Sequence, residues 1–170
     1  MKAAKSVVVM GVSASGKTTI SNLLGAELDY RVLDADDLHP AANVEKMRAG
    51  IPLDDVDRAP WLRKVADWIG DQRAQGVGVV VSCSALRRAY RDVLRQADAQ
   101  IVFVWLDVDR DTLEQRLAHR RGHFMPASLL DDQLETLEPP GEDERAVRVA
   151  PSDSAQDTAD QAIEALSRLD

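Results

Sequence analysis

Three stretches of the chain are apolar almost without interruption: Ser6 to Met10, Val77 to Ser82 and Ile101 to Asp107. β-Branched runs without polar alternation are expected of parallel strands covered on both faces. Tyr30 to Asp34 and Val147 to Val149 are short and each carries an arginine, yet both fall where an alternating rhythm needs a strand. Between these runs, apolar residues recur at helical spacing. Ile20, Leu23, Leu24 and Leu28 form one stripe, and Trp61, Val65, Trp68 and Ile69 form another behind Pro60, a residue suited to a first helical turn. Leu86, Tyr90, Val93 and Leu94 make a third and Leu113 with Leu117 a fourth. A fifth, Ala159, Ala162, Ile163 and Leu166, follows a helix start at Ser154. The order β-α-β-α-β-α-β-α-β predicts an α/β fold, a doubly wound parallel sheet with helices on both faces.

No repeat, low-complexity tract or linker divides the 170 residues, so one domain over 1–170 is expected. Two segments sit outside the rhythm, Asp36 to Asp57 with Pro40 and Pro52, and Arg120 to Pro126. Excursions of that length in a compact domain are usually functional loops or lids.

Composition narrows the possibilities. Hydrophobic residues are 45% of the chain, enough for a core and too many for a disordered tail. No apolar run approaches a membrane span, and the start Met1-Lys2-Ala3-Ala4-Lys5 leads within a few residues into a glycine loop, unlike a signal peptide. Cys83 is the only cysteine, which excludes an intramolecular disulfide or a cysteine metal site and agrees with a reducing compartment. A soluble, cytoplasmic protein without a membrane partner is expected. Twenty-one basic against 29 acidic residues give a net charge of −8, the wrong sign for holding nucleic acid. An anionic ligand must therefore meet positive charge concentrated locally.

That concentration has an obvious place. Gly11-Val12-Ser13-Ala14-Ser15-Gly16-Lys17-Thr18 matches the phosphate-binding pattern G-x-x-x-x-G-K-[ST], after a predicted strand and before a predicted helix. Inward-pointing backbone N–H groups of such a loop surround a phosphate, the lysine reaches the terminal phosphates, and the hydroxyl of Thr18 is suited to Mg²⁺. ATP and Mg²⁺ are the expected cofactors, with Thr19 the next residue along the nucleotide. A guanine-reading Asn-Lys-x-Asp segment is absent, and the chain is short for a motor ATPase. A small-molecule kinase remains.

Asp34-Ala35-Asp36-Asp37-Leu38-His39-Pro40 brings three carboxylates to the C-terminal end of the second strand, the edge where α/β sheets bind ligands. Asp34 and Asp36 face the same way if the strand geometry continues. One is suited to holding Mg²⁺ through water, the other to accepting the proton of an attacking hydroxyl; we assign Asp34 with Thr18 to the metal and Asp36 to the chemistry. Asp107 also ends an apolar strand, but it reads as the cap of a helix that begins at Asp109.

Taken together, the Gly11–Thr18 loop, the Asp34–Pro40 segment, Asn43-Val44-Glu45-Lys46-Met47, Gly50 to Leu62, Cys83-Ser84-Ala85-Leu86-Arg87-Arg88 and Gly122-His123-Phe124-Met125 resemble the bacterial gluconokinase family. The match runs in order from about Val7 to Val149. The resemblance implies transfer of the ATP γ-phosphoryl group to the 6-hydroxyl of D-gluconate, a fold like that of shikimate kinase with strand order 2-3-1-4-5, and a homodimer. It further implies an acceptor-binding insertion over about 36–75 and an arginine-bearing lid over about 119–137. Arg58 is expected to hold the gluconate carboxylate, Arg116 to stack on adenine beside a loop at Pro151, and Arg120 or Arg121 to close over the transferring phosphoryl group. His39 is expected to hydrogen-bond near the acceptor, and His123 is grouped with the substrate-binding residues. Arg87 and Arg88 lie nearest the third strand's C-terminal edge and are candidates for substrate, whereas the rest of the stripe, Arg91 and Arg95, reads as a solvated face. His39, His119 and His123 form no metal-ligand pattern, and His119 is expected to take no catalytic part.

The chain departs from the family in having Ala14 and Ala35 where glycine is usual and Asp37 where an aromatic is common. Ala14 is compatible with the loop if its φ is negative, and Asp37 points to a more polar acceptor pocket. Two other readings stay open here: a related kinase acting on shikimate, adenylylsulfate or another small hydroxylated acid, and a nucleotide-sensing module without catalysis.

Overall fold

A computed structural model describes residues 5–119 and 128–169. Five strands, β1 (Ser6–Met10), β2 (Arg31–Asp34), β3 (Val79–Ser82), β4 (Val102–Leu106) and β5 (Ala146–Val149), pair in parallel in the order β2-β3-β1-β4-β5. The strands are those foreseen, trimmed or extended by one or two residues at their ends. Alternation along β1 divides the core. Val8 and Met10 meet Trp61, Val65, Ile69, Tyr90 and Leu94 on one face, and Val7 and Val9 meet Ile20, Leu24, Ala159, Ala162 and Leu166 on the other. The first face is covered by α3 (Asp55–Ala74) and α4 (Arg88–Arg95), the second by α1 (Lys17–Leu28) and α7 (Ala155–Ser167). Both faces of the central strands are dry, which is why their sequences carry no polar alternation.

The polar excursion after β2 is not a bare loop. A 3₁₀ turn occupies Ala35–Leu38, and α2 covers Ala41–Arg48. The next helix begins earlier than Pro60 suggests. Asp54 accepts the N–H of Asp57 at 2.8 Å while the Asp57 carboxylate accepts the N–H of Asp54 at 3.1 Å, a reciprocal cap that starts α3 at Asp55. Pro60 thus lies inside α3, where the partner its missing N–H would have had is the carbonyl of Val56, a residue 80% exposed and open to solvent. Leu86 likewise precedes its helix, because α4 starts at Arg88. Two further helices, α5 (Arg110–His119) and α6 (Ser128–Thr136), flank residues outside the described set. Among the described residues, no helix is long and apolar enough to cross a membrane.

The arginine stripe on α4 is partly buried rather than solvated. Arg91 is fully buried and paired with Glu144 at 2.7 Å, its Nη1 donating to the carbonyls of Ala85 at 2.8 Å and Leu86 at 3.3 Å. Arg95 joins the same carboxylate and lies 4.9 Å from the centre of the Phe103 ring. The stripe faces the loop that leads into β5, an arrangement helical periodicity alone does not reveal.

Candidate active site

β1 runs between β3 and β4, so the segments after β1 and β3 open together at the C-terminal edge of the sheet. The loop after β1 turns sharply. Gly11 has φ 151°, and a Cβ there would stand 2.8 Å from Ser15 Oγ and 3.2 Å from the Leu106 carbonyl, so only glycine fits. Gly16, at φ 96°, leads into α1. Ala14 also has positive φ, 68°, contrary to the negative angle expected of it. Its carbonyl accepts Arg116 Nη1 at 2.9 Å and its methyl is buried with Val12, Leu113 and Leu130, contacts that offset the cost of a left-handed alanine.

The loop suits a phosphate chain. Ser15 Oγ is buried without a hydrogen-bond partner among the described residues, a polar atom that a phosphoryl oxygen would satisfy. Lys17 Nζ donates to the Val12 carbonyl at 2.9 Å, across the mouth of the loop. Thr18 Oγ1 donates to Asp34 Oδ2 at 3.1 Å, while Asp34 Oδ1 accepts the N–H of Asp36 at 3.0 Å. Thr18 and Asp34 together are a hard oxygen pair, the donor chemistry Mg²⁺ prefers. The expected strand geometry does not continue to Asp36: the chain leaves β2 at Asp34 and turns, so that Asp34 caps the turn and Asp36 is placed by it.

Asp36 enters a pocket that also receives Ser13, Lys17, His39, Arg58 and Trp61. His39 stacks on Trp61 with centroids 4.0 Å apart, and the Trp61 indole N–H donates to the Ala35 carbonyl at 2.6 Å. Asn43 Nδ2 lies 3.2 Å from His39 Nδ1 and 3.0 Å from the Asp57 carbonyl it donates to. The opposite ring nitrogen, Nε2, lies 3.7 Å from Asp36 Oδ1. Burial, then the nearby Arg58 charge, lowers the His39 pKa to about 4 against the opposing pull of Asp34, so the ring is neutral at pH 7. Arg58 Nη1 donates to Tyr90 Oη at 2.9 Å, and the phenol donates in turn to Asp55. Ala35 is buried without a positive φ, and its carbonyl serves Trp61. Asp37 is exposed and does not line the pocket, so it does not make it more polar.

A second depression, beside the loop, takes Ala14, Ser15, Gly16, Thr19, Arg116, His119 and Pro151 to Ser154. Arg116 and Pro151 therefore meet next to the phosphate loop, the neighbourhood expected for adenine. The candidates on α4 divide. Arg87 pairs with Asp55 at 3.4 Å, near Arg58 through the Tyr90 ring, whereas Arg88 is drawn to Asp143 at 3.0 Å; neither lines the pocket. Asp107 does not cap α5: it takes Arg148 Nε at 2.6 Å, and Asp109 accepts Thr112 N–H at 2.8 Å in the capping role. Arg120, Arg121 and His123 lie outside the described residues. Asn43, Trp61 and Tyr90 were missed, although the first two stand inside the motifs that carry the family resemblance; pairing across elements, not spacing, gives them their positions.

A phosphate loop after β1, a carboxylate turn after β2 and a pocket between them that holds Lys17, Asp36 and Arg58, on a five-stranded parallel sheet, define a P-loop kinase, and such a kinase uses ATP. The family profile described as an AAA domain matches residues 7–140. The gluconokinase of Gluconobacter oxydans strain 621H is 53% identical over 144 residues, 85% of this chain and 81% of that protein. The crystal structure of a gluconokinase from Sinorhizobium meliloti 1021 superposes with a TM-score of 0.89 at 42% identity, covering 99% of this chain and 95% of that one. Shikimate kinase from Aquifex aeolicus, at 16% identity and a TM-score of 0.61 over 95% of this chain and 96% of that one, shares the fold. The chain belongs to the gluconokinase family.

Proposed function

We propose that this chain transfers the γ-phosphoryl group of ATP to the 6-hydroxyl of D-gluconate, releasing 6-phospho-D-gluconate and ADP. The observation that carries the reading is the convergence of a phosphate-loop lysine, a carboxylate and an arginine, Lys17, Asp36 and Arg58, on one pocket. The loop from Gly11 to Thr18, with Thr19, holds the phosphate chain, and Arg116 and Pro151 flank adenine. Mg²⁺ at Thr18 and Asp34 would draw negative charge from the terminal phosphates. Asp36 accepts the proton of the 6-hydroxyl as its oxygen bonds to the γ-phosphorus and the bond to the β–γ bridging oxygen breaks. Lys17 stabilises charge on the transferring group, and Arg120 or Arg121 adds a second cation. Arg58 takes the acid end of the sugar acid in a charge-assisted pair. His39, neutral and stacked on Trp61, offers its Nε2 side to a hydroxyl of the acceptor beside Asp36. Residues 36–75 serve as the acceptor-binding insertion and 119–137 as the lid, and the family resemblance supports a homodimer, which light scattering measures.

ADP release with gluconate, glucose, shikimate and no acceptor, each with and without Mg²⁺, tests the reaction. We expect Mg²⁺-dependent turnover with gluconate well above the others. Equal ATP consumption with and without gluconate refutes it.

A further inference from the structure

Asp55 and Arg58 stand three residues apart at the start of α3, a spacing that sets an aspartate and an arginine side by side on one helix face. Such neighbours ordinarily close into a direct ion pair, and the guanidinium is then occupied by its own helix. Here they do not close: among the described residues no carboxylate pairs with Arg58. The hydroxyl of Tyr90, reaching across from α4, stands between them. Its direction is fixed by elementary chemistry. A guanidinium only donates and a carboxylate only accepts, so the single phenol proton goes to Asp55 and an oxygen lone pair receives Arg58 Nη1 at 2.9 Å. The ring is 6% exposed and packed in the core, with the guanidinium carbons of Arg58 and Arg87 5.3 and 6.0 Å from its centre. Arg87 holds Asp55 from the other side at 3.4 Å. Asp55 is thus engaged twice without Arg58, and Arg58 faces the pocket that contains Lys17 and Asp36.

We propose that Tyr90 is a positioning residue that holds Arg58 off Asp55 and so keeps its guanidinium open to the carboxylate of the acceptor. Preference for a sugar acid over a neutral polyol then depends on a hydroxyl that touches neither. The inference rests on Arg58 reading the acid end of gluconate, and the test separates the two.

Tyr90→Phe keeps the ring and the stacked cations but removes the spacer, letting Arg58 close on Asp55. The gluconate KM rises about tenfold, the loss of roughly one charge-assisted hydrogen bond. The ATP KM and the kcat at saturating gluconate change by less than about twofold, because the contact serves ground and transition state alike. The kcat/KM preference for gluconate over D-glucitol falls by about the same tenfold. In the double variant Tyr90→Phe with Asp55→Asn the competing carboxylate is gone, and the gluconate KM returns most of the way, a rescue that damaged packing would not show. Arg58→Ala is measured alongside. If Arg58→Ala raises the gluconate KM and Tyr90→Phe does not, the positioning role is overturned while the reading of Arg58 stands. If neither raises it, both fall. A rise in Tyr90→Phe that the double variant leaves uncorrected also overturns the spacer.

Discussion

His39 carries its stability effect in its protonation. Its pKa is held at about 4 in the folded chain, by burial first, against an ordinary value near 6.5. Between those values the unfolded chain binds a proton that the native ring refuses, so this group lowers stability as pH falls from about 6.5 and stops doing so below about 4. His39→Phe, which keeps an aromatic ring on Trp61, should remove on the order of 2–3 kcal/mol of the pH dependence between pH 7.5 and 4.5. Denaturant titrations at the two pH values measure it. Ala14, at φ 68°, pays a left-handed cost that glycine lacks. Ala14→Gly should therefore shift stability by less than about 0.5 kcal/mol, because relief of that cost is matched by the greater freedom of an unfolded glycine and by the loss of the methyl's buried contacts. Its melting temperature reports this directly. For the chemistry, Asp36→Asn should abolish transfer while ATP still binds. Asp107→Asn should stay active, because Asp107 is tied to Arg148 on the β5 side of the sheet. The reverse pattern in a coupled assay would overturn the assignment of the base.

At the scale of elements, the ion cluster of Arg91, Arg95 and Glu144 joins α4 to the approach to β5. Burial pushes the Glu144 carboxyl up, but hydrogen bonds from Arg91 and Arg95 outweigh it and hold the pKa at about 2, below the ordinary 4.5. The stabilisation is therefore complete above about pH 4.5 and drains away as pH falls towards about 2. Glu144→Gln leaves Arg91 buried without its counter-charge and should cost about 3–5 kcal/mol at neutral pH. It should also flatten the acid limb of the stability curve, which chemical denaturation from pH 7 to 3 would reveal. The same cluster grips the carbonyls of Ala85 and Leu86, the turn that brings Ser84 to the pocket. Strands and the faces of α1, α3 and α7 were legible because burial on two sides or one imposes a period. The start of α3 was not: its cap is an aspartate pair in a polar stretch, and Pro60 suggested a first turn five residues too late.

For the whole molecule, a chain of net charge −8 places Lys17 and Arg58 beside Asp36 and Asp132 in one pocket, so an anionic substrate meets individual cations there and not a net positive field. Because the phosphate loop is built on the central strand, nucleotide that binds only the folded chain should stabilise all of it. At a nucleotide concentration about 100 times its Kd the gain is about 2.7 kcal/mol, or roughly 5–10 °C in melting temperature for a domain of this size. Differential scanning fluorimetry with Mg-ATP checks this. Lys17→Ala should lose most of the shift together with orders of magnitude in turnover.

The sequence by itself determined the strands, the phosphate loop, the carboxylate segment and the family, because each is written in neighbouring residues: a run of apolar side chains, a glycine spacing, an acid at a strand end. Tertiary structure alone decided which charged side chains face the site. Arg87, Arg88 and Arg91 are nearly adjacent in the chain, yet one pairs with Asp55, one is drawn to Asp143 and one is buried against Glu144. Their partners lie 32 to 55 residues away. Each of these three turns to a carboxylate that only folding brings near, and no local period encodes that. The same holds for Ala14, whose backbone angle follows from closing the loop over α1 beside Arg116, and for Tyr90, whose hydroxyl acquires a role only when α4 packs against the first turn of α3.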